Sequence, residues 1–214
     1  MNNDIICIQH AVKKFKDTVV LNDVSVDFER GKIHGIIGRN GSGKTVLFKS
    51  ICGFMPLTSG TVTVNGKIVG KDIDIPSDIG IIIEAPGFLA NYSGFKNLKL
   101  LASIRRKITD AQIKEAMETV GLDCKSKKRV GKYSMGMRQR LGIAQAIMEN
   151  PQILLLDEPM NGLDNRGVDD IRHLLLELRK NGKTILIASH SKEDIDLLCD
   201  TVHEMDAGIL TSVR

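Results

Sequence analysis

Gly38-Arg39-Asn40-Gly41-Ser42-Gly43-Lys44-Thr45 satisfies the pattern G-x-x-x-x-G-K-[S/T]. It lies between a compact apolar run, residues 32–37 (KIHGII), and a stretch from Lys44 to Cys52 whose Val46, Leu47 and Ile51 fall on one helical face. Strand, glycine loop and helix together give the pattern its mechanism. The glycines let successive backbone N–H groups turn inward as a nest for phosphate oxygens, and the helix N-terminus adds its positive end. Lys44 supplies a point charge for β and γ phosphates, and Thr45 a hydroxyl for Mg²⁺. The stretch predicts a phosphate-binding site made by Asn40, Gly41, Ser42, Gly43, Lys44, Thr45 and Val46.

Outward from this loop the chain reads as α/β. On the N-terminal side, Ile5–Val12 and Val19–Phe28 are β-rich runs separated by a basic turn around Lys13–Asp17. On the other side Thr61–Val64, Lys67–Val69 and Ile79–Ile83 predict strands, with Asn65, Gly66 and Gly70 as turn residues. After Pro86 the pattern changes: Lys96–Arg106, Asp110–Val120 and Met135–Glu149 carry helical spacing with no strand between them. Then Ile153–Asp157 reads as a buried strand, Val168–Lys180 as an amphipathic helix, Thr184–Ser189 as a strand, Glu193–Cys199 as a helix, and a last strand falls near Leu210. Such alternation indicates a parallel sheet covered on both faces. With no internal repeat or low-complexity linker, residues 87–148 read as a helical insertion in one domain, 1–214, whose core comprises 1–86 and 149–214.

Ile153-Leu154-Leu155-Leu156-Asp157-Glu158-Pro159 is a buried strand that ends on two carboxylates. Neighbouring side chains inside a strand face opposite ways, so only a strand end lets both acids reach one site. Open α/β sheets bind ligands at that end. The expectation is that Asp157 holds Mg²⁺ through Thr45 or water, and that Glu158 activates the attacking water as a general base.

The phosphate loop and the two acids fit many phosphate-loop enzymes. Tyr133-Ser134-Met135-Gly136-Met137-Arg138-Gln139-Arg140 narrows the choice, because it resembles the signature segment of the ATP-binding cassette ATPases, normally Leu-Ser-Gly-Gly-Gln. Ser134 and Gly136 match, whereas Tyr133, Met135 and Met137 depart. The resemblance runs over essentially the whole chain. It implies a phosphate-loop fold with a mixed sheet, an N-terminal antiparallel β subdomain and an inserted helical subdomain. Ser134 caps a helix whose N–H groups would meet a γ-phosphate across a dimer interface. Asn161-Gly162-Leu163-Asp164 resembles the segment that links the two sites of such a dimer, His190 the histidine that senses the γ-phosphate, and Phe15 the aromatic that stacks on adenine. Glu84, after Ile79–Ile83, stands where most cassettes carry a metal-contacting Gln, and resembles a bacterial subgroup associated with bacitracin and lantibiotic resistance. The added negative charge near the phosphates implies a slower or differently coupled ATPase.

By this resemblance the chain binds ATP and Mg²⁺ and hydrolyses ATP. It would pair with itself or a second cassette, and drive a separate membrane permease from the inner face of the membrane. The permease would dock near Glu84–Asn97 and the helical insertion, and export of, or immunity to, antimicrobial peptides follows by analogy. The alternative is a cassette ATPase acting on nucleic acid or ribosomes. Such relatives carry two cassettes or a long coiled coil, and the span from Lys44 to Ser134 leaves no heptad array. A phosphate-loop kinase would not explain Ser134, Gly136 and Asp164 together.

Composition agrees. The 214 residues carry 30 Lys and Arg against 26 Asp and Glu, a net charge of +4 too mild to argue for a nucleic-acid surface. The basic run Lys125–Arg129 reads as a solvated loop. The longest apolar stretches fall far short of the roughly 18 residues of a membrane span. The N-terminus MNNDIICIQH has no basic segment before an apolar run, so no secretory signal is expected, nor is a C-terminal extension beyond Leu210. Cys7, Cys52, Cys124 and Cys199 lie far apart, which argues against zinc and against a disulfide framework and for buried thiols in a reducing cytosol.

Overall fold

The computed structural model describes residues 3–84 and 87–214. The sequence readings at Met1, Asn2, Ala85 and Pro86 lie outside the described residues.

The chain opens with β1 (Asp4–Phe15) and β2 (Thr18–Glu29), an antiparallel hairpin whose register pairs Phe15 with Thr18. The turn is therefore tighter than the Lys13–Asp17 expected: Lys13 and Lys14 stay in the ladder, and Lys16 takes the left-handed conformation at φ +52°. β3 (Ile33–Ile37) and α1 (Lys44–Ile51) flank the glycine loop, and β4 (Ser59–Val64) and β5 (Lys67–Ile68) return to the hairpin, giving an antiparallel sheet in the order β2-β1-β4-β5.

β6 (Ile79–Ile82) precedes the helical stretch α2 (Gly94–Arg105), α3 (Asp110–Thr119) and α4 (Met135–Ile147), with a 3-10 turn at Val130–Lys132 before α4. Then follow β7 (Ile153–Asp157), α5 (Asn165–Lys180), β8 (Thr184–Ala188), α6 (Lys192–Leu198), β9 (Thr201–Asp206) and β10 (Ile209–Ser212). The second sheet runs β10-β9-β3-β8-β7-β6 and is parallel except for β10, which turns back antiparallel on β9. One point departs from the sequence reading: β9 was not expected. The antiparallel edge strand β10 makes the core sheet mixed, as the resemblance implied.

Period-two alternation lets one strand serve two cores. Leu154 and Leu156 of β7 join an apolar cluster with α2 to α6, while Ile153 and Leu155 join another with α1 and the antiparallel sheet. Ile33, Ile185 and Ile187 belong to the cluster that holds Leu98, Ile113 and Leu141, so the helical stretch shares the sheet's core. The four cysteines are free, and burial pushes the Cys52 and Cys199 thiols up to about 12. Phe28 packs in a T-shaped arrangement on two buried imidazoles, His34 on β3 and His203 on β9, at centroid distances of 5.1 and 5.5 Å. Burial holds both below the usual imidazole range, so the pair packs as neutral rings. The parallel order has one consequence for function: the ends of β3, β6, β7 and β8 all open on the same edge, where ligands of open sheets bind.

Candidate functional site

The loop after β3 can only be built with glycine at its ends. Gly38 (φ +149°) would place a Cβ 2.2 Å from the Met205 carbonyl oxygen, and Gly43 (φ +118°) one 2.8 Å from that of Val20. Gly43 is also the N-cap of α1 and offers no side chain to its first turn, so the helix's positive end faces the loop. Lys44 folds back over the loop, its Nζ donating to the carbonyls of Gly38 (2.6 Å) and Arg39 (3.1 Å). Among the described residues, Ser42 Oγ is the one buried side-chain polar atom without a hydrogen-bond partner. A cradle of donors with an orphaned hydroxyl suits an anion.

The opposite wall is acidic. Thr45 Oγ1 donates to Asp157 Oδ2 at 2.9 Å across 112 residues of sequence. Burial raises the Asp157 carboxyl above the usual range; the Thr45 hydrogen bond and Lys44 oppose this, and the charges of Glu158 and Glu84 add to it. A divalent cation would relieve that crowding. Glu158 and Glu84 both adopt the left-handed conformation, at φ +50° and +62°. The Glu158 N–H donates to the Ala188 carbonyl at 2.8 Å, and its Oε1 lies 2.8 Å from His190 Nδ1. A carboxylate only accepts, so Nδ1 carries the proton. Glu84 Oε1 pairs with Lys49 Nζ at 2.6 Å.

Between these walls lies a cavity of about 710 Å³, lined by Asn40 to Val46, Glu84, Asp157 and Glu158, and also by Val20, Met135, Arg138, Gln139 and Asn161. Glu158 and Asn161 border a second cavity of about 580 Å³, which His190 lines. The fold thus brings together every expected residue of the phosphate loop and the acidic cluster. It leaves three others apart. Ser134 caps α4 by accepting from the Met137 N–H at 3.2 Å, and neither it nor Gly136 lines the cavity of its own chain. Phe15 ends β1, 43% exposed, with Lys13 Nζ 5.0 Å from its ring centre, and does not line the cavity. Val20, Arg138 and Gln139 were not singled out from the sequence. A valine in a β-rich run and polar residues on a helix carry no signal of their own.

The model of the family described as ABC transporter matches residues 21–161, about two thirds of the chain and the span from β2 to just past Glu158. The chain belongs to the ABC transporter family. The cassette is 45% identical over 203 residues to an uncharacterised ABC transporter ATP-binding protein of Bacillus subtilis, covering 95% of this chain and 93% of that relative. It is 40% identical to the bacitracin transport ATP-binding protein of Enterococcus faecalis, covering 96% of this chain and 68% of that one. It is 34% identical to the lantibiotic transport ATP-binding protein of Streptococcus pyogenes, covering 91% and 84%. A solved dimeric bacterial ABC transporter cassette superposes with a TM-score of 0.87 over 98% of this chain and 99% of that one, at 21% identity, a likeness of fold. The cassette is an ATPase of the transporter type. Among its described residues no helix is long and apolar enough to cross a membrane.

Proposed function

We propose that the cassette hydrolyses ATP by in-line attack of water on the γ-phosphate, with Glu158 as general base. The observation that carries this is the meeting, in one cavity, of the phosphate cradle with the Thr45–Asp157 pair and the His190-held Glu158. Lys44 and the loop N–H groups bind the β and γ phosphates and offset the charge of the transition state. The orphaned Ser42 hydroxyl and the crowded acids support a magnesium nucleotide as occupant. Thr45, Asp157 and Glu84 would face the Mg²⁺, which when bound neutralises phosphate charge and fixes its orientation. His190 orients the Glu158 carboxylate through Nδ1 and presents its other nitrogen toward the γ-phosphate. Phe15, on the β1–β2 arm, stacks on the adenine.

Ser134 and Gly136 act in trans, supplied by a second copy or a second cassette, which is supported by their lying off their own chain's cavity. Residues 87–148 form the helical part of the single domain, and 1–86 with 149–214 its core. A separate permease docks on the segment Glu84–Asn97 and the helices that follow, where Leu89 and Ile104 are 53% and 78% exposed. The cassette then works at the inner face of the membrane. The bacitracin and lantibiotic relatives favour export of, or immunity to, antimicrobial peptides.

The deciding experiment is pull-down of tagged Glu158→Gln protein with ATP·Mg²⁺ from detergent-solubilised cells. A multi-span membrane protein is expected to co-purify and would name the permease. Ribosomes or DNA without a membrane protein would overturn the transport reading. A second prediction concerns Glu84. Its pair with Lys49 is half open to solvent and adds about 0–1 kcal/mol to stability. Its charge near the phosphates opposes further negative charge by about 1 kcal/mol. Glu84→Gln is expected to raise the turnover number roughly fivefold, with the melting temperature lowered by no more than about 4 °C. Unchanged turnover together with unchanged peptide resistance would show that this position does not set the coupling.

A further inference from the structure

Glu158 holds a backbone conformation that residues with a side chain rarely adopt, φ +50°, so its carboxylate points where it does only because the turn around it is tied down. Three ties were described above or follow from the strand end. The N–H bonds to the Ala188 carbonyl of β8, the side chain meets His190, and the Glu158 carbonyl accepts from the Asn161 N–H at 3.1 Å. The fourth comes from α4. Gln139 Nε2 donates to the Glu158 carbonyl at 3.2 Å and to the Pro159 carbonyl at 3.0 Å, spending both amide protons on the turn that carries the base.

The contact is part of a broader seam. Gly136 lies so close to the same loop that a Cβ there would sit 2.8 Å from the Gly162 carbonyl oxygen. Met135 covers Gly162, where a Cβ would fall 2.5 Å from Met135 Cγ. The first turns of α4 thus press on the 158–162 turn with backbone and apolar contacts, and among the described residues Gln139 is the one polar link across the seam to the Glu158 and Pro159 carbonyls. Apolar contact fixes a separation; two directed hydrogen bonds fix an orientation.

We propose that Gln139 is a positioning residue for the hydrolytic step: its amide holds the Glu158–Pro159 turn in the orientation from which the Glu158 carboxylate activates water. This rests on Glu158 being the base. Displacement of a catalytic group by a fraction of an ångström lowers the rate of the chemical step without touching the residues that bind the phosphates. The effect therefore falls on kcat and spares KM.

The test uses the full chain, Mg·ATP as substrate, steady-state hydrolysis, and a melting curve for each variant. Gln139→Met keeps the length and packing of the side chain and removes the donor. It is expected to lower kcat by about 10- to 100-fold at unchanged KM. Gln139→Glu sets a carboxylate against two carbonyls at pH 8 and is expected to be at least as slow. As the pH is lowered toward 5.5 the introduced carboxyl takes up a proton and regains an O–H donor, so its kcat relative to wild type at the same pH rises. A wild-type kcat in Gln139→Met, or a relative kcat in Gln139→Glu that stays flat with pH, overturns the proposal. The flat profile does so even where Gln139→Met is poorly folded, and the melting curve of Gln139→Glu at each pH separates the two causes: a merely structural defect repaired by acid would raise the melting temperature relative to wild type in step with kcat. Wild-type turnover abolished by Glu158→Gln, with Gln139→Met fully active, would sink this inference and leave the reading of the base intact. Turnover that survives Glu158→Gln would remove both.

Discussion

Glu158→Gln is expected to lower the kcat for ATP hydrolysis by about 10²- to 10⁴-fold, the usual contribution of a positioned general base. The substitution is close to a clean removal of basicity. The Gln oxygen still accepts the His190 Nδ1–H that reaches Glu158 Oε1 at 2.8 Å, and the backbone ties to Ala188 and Gln139 do not involve the side chain. The phosphate cradle around Lys44 is untouched, so ATP binding is retained. With binding kept and hydrolysis blocked, the ATP-bound pair of cassettes accumulates. Light scattering on a sizing column with ATP·Mg²⁺ should then show a dimer that wild type does not hold. A monomer with undiminished turnover would count against both the base and the head-to-tail pairing.

Lys44→Ala should instead remove affinity. Lys44 is 7% exposed, and its ammonium is already drawn into the loop by the Gly38 and Arg39 carbonyls, at 2.6 and 3.1 Å. Phosphate oxygens would exchange those neutral acceptors for charged ones, and a charge-assisted hydrogen bond contributes about 1.5–3 kcal/mol. Loss of one or two such bonds predicts nucleotide binding weaker by about 10²-fold or more. Titration with a fluorescent ATP analogue measures it, with the melting temperature of the free protein as the control for folding. An unchanged dissociation constant would show that Lys44 does not meet the phosphates.

The two substitutions also separate what each kind of reasoning reached. The phosphate loop was legible because its chemistry is local. Gly38 and Gly43 dictate backbone conformations, the apolar run before them makes a strand, and the periodic run after them a helix. Helical spacing similarly exposed α2, α3, α4 and α5 to within a few residues. β9 escaped because Thr201–Asp206 mixes buried His203 with polar neighbours, and a strand that buries an imidazole does not show clean alternation. The short turn at Lys16 was obscured by Lys13 and Lys14, which read as loop residues although they stay in the ladder of a hairpin arm.

By itself the sequence determined the residue types of the site: a glycine cradle with Lys44 and Thr45, two carboxylates at a strand end, a capped helix at Ser134, and a glutamate at position 84. It also determined the alternation of elements that puts strand ends on one edge. Only the tertiary structure decided which of these groups touch. Thr45 reaches Asp157 over 112 residues, and His190 reaches Glu158 over 32, because β3, β8 and β7 are neighbours in the sheet though not in the chain. Gln139 enters the cavity from α4 and Val20 from β2 of the other sheet, and Phe15, aromatic and well placed in the sequence, stays out of its lining. Residue type is a property of the chain at one point, whereas a contact depends on strand order and helix packing, which no short stretch encodes.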